Sequence, residues 1–270
     1  MRPRETYAVQ EHRNSVPVGA WRGDDPRLAP STLDLERREL ADRQWEEVGR
    51  IRIAPVPHRR KHPPLADERM PRLWNKPGMF PSFKSGGDVP FWGPLQREFL
   101  VLMEGDRRVR SILTRAASFD WWDGETMHAH VPDFLLSGNG ARTMVDVEPL
   151  RATKGHLARL KFLQLRAACK TEGFGYRVVT DDWIRRQPRL TNNEMVCGNM
   201  GWNIPEADLN LLRRCARRIG AICPADIVAI GLLSEGRAMA AALNLVWRAE
   251  LRVDMGRRIT AETLFREARP

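Results

Sequence analysis

Val131-Pro132-Asp133-Phe134-Leu135-Leu136 runs through Ser137-Gly138-Asn139-Gly140 into Met144-Val145-Asp146-Val147-Glu148-Pro149. Two apolar runs flank a glycine-asparagine cluster, and this pattern predicts a β-hairpin, because its turn needs residues that tolerate positive φ. Folding the hairpin returns Asp133 to the side of Asp146. Side chains alternate along a strand, so Asp146 and Glu148 share a face, and that face meets Asp133 across the hairpin. Three carboxylates held together repel unless a cation or a proton separates them, so the cluster reads as a divalent-metal site.

Working outward, Gly93-Pro94 opens an amphipathic helix bearing Leu95, Phe99, Leu102 and Met103, with proline suited to a first turn. Strand-like runs follow at 109–113 and 118–122. Beyond the hairpin, Leu157, Leu160, Leu163, Leu165 and Ala168 predict a helix over 157–171, ended by Gly173 and Gly175, with a short strand at 176–180. The order predicts an α/β core, a mixed sheet flanked by helices.

Further along, helical patterns at 206–219, 224–230 and 235–247 precede two polar strand-like groups at 251–254 and 257–260. Three short helices and a ribbon are the order of a winged helix. Arg237 would stand near the start of its third helix and Arg257 and Arg258 in its wing, positions from which DNA phosphates are met. Residues 1–88 are proline-rich and basic, with one helical period at 33–48 and an Arg59-Arg60-Lys61 run, and read as an extended arm. The expected division is therefore 1–88, 89–186 and 187–270.

The 270 residues carry 44 Lys and Arg against 34 Asp and Glu, a net charge of +10. That excess favours a polyanionic partner, nucleic acid foremost. An apolar fraction of 42% is enough for folded cores. Cys169, Cys197, Cys215 and Cys223 form no C-x-x-C pair, which argues against a zinc module. With no apolar leader at the N-terminus and no run of membrane-spanning length, the expectation is a soluble cytoplasmic protein with reduced thiols and no membrane partner.

Other candidates read as scaffold. His128 and His130 share a strand face, but parity counted from Asp133 points them away from it, as surface or core-edge residues. Trp121 and Trp122 are expected to pack. No glycine-rich phosphate loop and no G-x-S-x-G element is present, so neither a nucleotide cofactor nor a serine nucleophile is indicated.

Pro132-Asp133-Phe134, then Asp146-x-Glu148-Pro149, with the helix opening Gly93-Pro94-Leu95-Gln96-Arg97-Glu98-Phe99, resembles TnsA, the endonuclease subunit of bacterial heteromeric transposases and a member of the PD-(D/E)XK nuclease superfamily. The likeness extends from Phe80-Pro81-Ser82-Phe83-Lys84-Ser85-Gly86 through the 175–180 strand to the winged-helix-like end. It implies a restriction-endonuclease-like core that cuts the transposon-end strand left intact by a DDE-type transposase, using Mg2+ or Mn2+. The implied partners are transposon-end DNA, that transposase and an ATP-dependent regulator, in a bacterial, nucleoid-associated setting.

Carried over by position, Asp133 and Asp146 are the implied metal-binding residues. Glu148 stands where the family has lysine, which reverses the charge of the site's one cation. Gln96 stands where a helical glutamate is expected, able to coordinate only through its carbonyl. Two readings follow. Either the site is rebuilt, with Arg151, Lys154 or Lys161 supplying the cation, or cleavage is lost and the subunit binds DNA and scaffolds the transposase. A third assignment, to restriction or repair, rests on the superfamily alone.

Overall fold

The computed structural model describes residues 53–55 and 77–268. The 33–48 period and the Arg59-Arg60-Lys61 run lie outside them. The described residues divide into two compact units, one drawn from Met1–Phe99 and Arg108–Ile184, the other from Leu100–Arg107 and Arg185–Pro270.

The first unit contains β1 (Ile53–Pro55), β2 (Pro77–Ser82), β3 (Gly87–Trp92), the start of α1 (Pro94–Gly105), β4 (Ser111–Thr114), β5 (Ala117–Trp122), β6 (Met127–His130), β7 (Phe134–Gly138), β8 (Ala141–Glu148), α2 (His156–Thr171), β9 (Gly175–Thr180) and one helical turn, α3 (Asp181–Ile184). The expected hairpin is β7 and β8. Gly138 pairs with Ala141, leaving Asn139-Gly140 as a two-residue loop. Their φ angles of 48° and 79° give the paired left-handed conformation whose twist suits antiparallel strands.

β4, β7, β8 and β9 form a four-stranded sheet in that order. The first three run antiparallel, whereas β9 is parallel to β8 with Asp146 opposite Val178. A parallel neighbour requires a crossover, and α2 supplies it. Leu135, Met144, Tyr176 and Val178 pack with Phe162, Leu165, Ala168 and Cys169 of α2 and with Phe119. By strand alternation Phe134 faces the opposite side, where its ring lies 5.3 Å from that of Phe99 on α1. The core is thus a mixed sheet flanked by helices.

Two smaller sheets complete the unit. β2 and β3 form a hairpin that straddles residue 88, the expected end of the arm. β5 lies between β1 and β6, with Phe119 opposite His130. Gln164, buried in α2, fastens this second sheet. Its Nε2 donates to the Trp122 carbonyl at 2.6 Å and its Oε1 accepts the Trp122 N–H at 3.0 Å.

The second unit contains α4 (Arg189–Gly198), α5 (Glu206–Ile219), β10 (Ala221–Ile222), α6 (Pro224–Ala229), α7 (Glu235–Trp247), β11 (Leu251–Arg252) and β12 (Phe265–Glu267). The three strands pair antiparallel in the order β10-β12-β11. Leu209, Leu212, Ala216, Ala238, Ala241, Ala242, Leu245 and Phe265 form its core. The strand expected at 257–260 is instead a loop, and the partner of β11 is β12. The cause is a side chain. Asn192 of α4, wholly buried, donates to the Met255 and Arg257 carbonyls at 3.0 and 2.7 Å and accepts the Ile259 N–H at 3.1 Å. Those backbone groups are therefore not free for a ladder. Leu100–Arg107, the end of α1 and the two residues that follow it, belongs to this unit, where the Arg107 guanidinium donates to the Leu251 carbonyl at 2.7 Å. Among the described residues no helix is long and apolar enough to cross a membrane.

Candidate functional site

Strand periodicity sets Asp146 and Glu148 of β8 on the face covered by α2, and Asp133, just before β7, joins them. Each is held differently. One Asp133 oxygen accepts the Gln96 amide at 2.8 Å and the other the Val147 N–H at 2.7 Å. Asp146, 1% exposed, accepts His130 Nε2 at 3.0 and 2.8 Å on its two oxygens, and the Tyr176 hydroxyl donates to the second of them. Glu148 lies 3.8 Å from Lys161 Nζ, a side chain only 17% exposed.

These surroundings separate the two aspartates. Burial drives the Asp133 carboxyl well above the ordinary carboxylate range, and the nearby charge of Asp146 drives it further. Asp146 is also buried, yet the His130 imidazole, Lys161 and the Tyr176 hydroxyl outweigh that and hold it below its usual value. Burial raises Glu148, with Lys161 pulling the other way. Burial likewise raises the Tyr176 hydroxyl and the Cys169 thiol, and the charge of Asp146 adds to both. Cys169 therefore stays a neutral thiol and serves as packing.

Of Arg151, Lys154 and Lys161, it is Lys161 whose charge acts on Asp133, Asp146 and Glu148. Arg151 and Lys154 are exposed. Lys161 lies one turn into α2, so the cation comes from the covering helix and not from β8.

Two expectations are corrected, and the second unit's arginines are placed. Gln96 does not present its carbonyl to the acids: Oε1 accepts the Trp92 N–H at 2.8 Å, which turns the amide nitrogen towards Asp133. His130 does not point away from the acids. Parity counted back from Asp133 assumes one continuous strand, but β6 ends at His130 and pairs with β5, while β7 pairs with β4 and β8. Arg237 has its fork engaged by the buried Asp208, Nε donating at 3.0 Å and Nη2 at 2.6 Å. Arg257 and Arg258 are exposed on the loop that Asn192 holds, with Asp254 3.6 Å from Arg257.

His130 and Tyr176 are the site residues that sequence reasoning missed. Tyr176 carried a signal, since a tyrosine in an apolar strand needs a partner for its hydroxyl. Among the described residues, no three His, Cys, Asp or Glu side chains are grouped closely enough to enclose a metal ion. The chain matches no model of a known protein family, and no curated protein matches it.

Proposed function

We propose that this chain is a TnsA-like subunit of a heteromeric transposase that cleaves a DNA strand at transposon ends. The observation that carries the reading is Lys161. A cluster of this kind without its lysine has no positive group to offset the charge that develops on a phosphate under attack. Lys161 returns that group from α2, 3.8 Å from the Glu148 carboxylate that occupies the family's lysine position.

The donor set suits Mg2+ or Mn2+. Asp133 and Asp146 are hard oxygen donors, and Asp133 is raised by burial first and by the neighbouring charge of Asp146 second. Magnesium is commonly held by one or two carboxylates together with waters and substrate phosphates, so two aspartates suffice without a third protein ligand. Bound there, the ion would supply a nucleophilic hydroxide and Lewis-acid stabilisation. Lys161 holds Glu148 and lends its charge to the substrate phosphate. His130 and Tyr176 orient Asp146, and Gln96 orients Asp133.

Helices α5, α6 and α7 and the antiparallel ribbon of the second unit fit a winged helix whose wing carries Arg257 and Arg258. Its partner is transposon-end DNA, the first unit works beside a DDE-type transposase, and an ATP-dependent regulator completes the assembly. The scaffolding alternative is supported by one observation. Every oxygen of Asp133 and Asp146 already accepts a hydrogen bond.

Strand-specific nicking of an end-labelled transposon-end duplex, with the transposase and Mg2+ or Mn2+, separates the two. Cleavage by the wild type that falls about 100- to 1,000-fold in Lys161→Ala and vanishes in Asp133→Ala supports the nuclease. A wild type that never nicks, with nicking restored by Gln96→Glu and Glu148→Lys together, supports the scaffold.

A further inference from the structure

We propose that Arg115, whose guanidinium lies over a Trp92 ring, is a phosphate-binding residue at the rim of the acidic site that holds the substrate strand by its backbone. β4 ends at Thr114, opposite Phe134, and Arg115 is the next residue. Its φ of 49° lies in the left-handed region, which a residue with a side chain adopts only when its surroundings impose it. There the Arg115 N–H donates to the Asp133 carbonyl at 3.1 Å, which ties Arg115 to the chain beside the acid.

The guanidinium is placed as closely as the backbone. Its carbon sits 5.7 Å from the centroid of a Trp92 ring, within range for a cation above an aromatic face. The Trp92 N–H donates to Gln96 Oε1 at 2.8 Å, and Gln96 Nε2 donates to Asp133 at 2.8 Å. Trp92, Gln96, Asp133 and Arg115 thus form a closed circuit of three hydrogen bonds and one ring contact.

Among the described residues no carboxylate pairs with the Arg115 guanidinium, in contrast to Arg213 and Arg237, each gripped by carboxylates. Arg115 and Trp92 are both partly exposed. A guanidinium lying against an indole keeps its N–H edge for a ligand, and its planar fork matches the oxygens of a phosphate. The chemistry also calls for such a group. An acidic cluster disfavours a polyanion, and Lys161 lies 3.8 Å from Glu148, so a cation at the rim helps to bring a phosphodiester towards the acids. This inference rests on the reading of the site as one that acts on nucleic acid.

The test is equilibrium binding of a fluorescently labelled DNA duplex to the full chain, in EDTA, across a range of salt concentrations. Arg115→Gln is expected to weaken binding several-fold and to reduce the slope of log affinity against log salt by about 0.9, the signature of one lost phosphate contact. Arg115→Lys should keep the slope. Arg115→Gly controls for folding, since glycine accepts the left-handed backbone: it should leave the thermal melt unchanged and reduce the slope as Arg115→Gln does. Wild-type binding with an unchanged slope and affinity in Arg115→Gln would overturn the assignment and leave DNA binding standing. A wild type that does not bind the duplex would overturn both.

Discussion

Asp133 and Asp146 are chemically the same residue in different surroundings. Asp133 is pushed up by burial and by its neighbour, and Asp146 is held down by His130, Lys161 and Tyr176. The consequences for stability have opposite signs. A carboxyl whose folded-state pKa is raised contributes stability that is whole below its unfolded value of about 3.9 and is lost as pH rises through the folded value. A depressed one contributes above the unfolded value and loses that contribution as pH falls through the folded value. Asp133→Asn, which cannot ionise, should therefore gain in melting temperature relative to wild type as the buffer moves from about pH 5 to pH 8. A difference independent of pH would mean that Asp133 titrates normally. The acids themselves were legible in the sequence, because a two-residue turn and a two-residue strand period are local rules. His130 was not, because its contact depends on a change of sheet at Val131-Pro132 that no local period records.

At the scale of elements, α1, α2 and the β7–β8 hairpin follow from proline placement, apolar spacing and turn chemistry. The 253–264 segment did not, since its shape is set from outside by Asn192, a polar residue in the middle of a helix. Removing that side chain strips two backbone carbonyls and one N–H of their partner in a buried setting. Asn192→Ala should cost the second unit about 2–4 kcal/mol. It should also speed hydrogen exchange at the Ile259 amide, which denaturant melts and exchange-detected NMR would read. Protection at Ile259 equal to that of the wild type would show that the loop keeps its shape unaided. The same logic explains Arg237: its position at the start of α7 was readable, but the buried Asp208 that engages it lies 29 positions earlier and shares no local pattern with it.

For the molecule as a whole, the partition of α1 matters most. Phe99 packs on Phe134 in the first unit, whereas Leu100–Arg107 belongs with the second. Composition placed a boundary near 186, but composition cannot reveal that one helix serves two cores. A fragment of residues 187–270 should therefore be markedly less soluble and melt less cooperatively than the intact protein, because Leu100–Arg107 is missing from it. Circular dichroism and size-exclusion chromatography would show this, and a fragment as stable as the parent would mean that the helix is dispensable to that unit.

The hydroxyl of Tyr176 on Asp146 has a practical side. The sequence contains two tyrosines, Tyr7 and Tyr176. Isotopic labelling of tyrosine alone therefore yields a spectrum of two ring signals, one of them from a sensor touching the central carboxylate. If the proposed metal reading holds, titration with Mg2+ moves that signal in the wild type and leaves it unmoved in Asp146→Asn, a readout that needs no added dye, substrate or partner subunit; a wild-type signal that does not respond counts against a metal at Asp146.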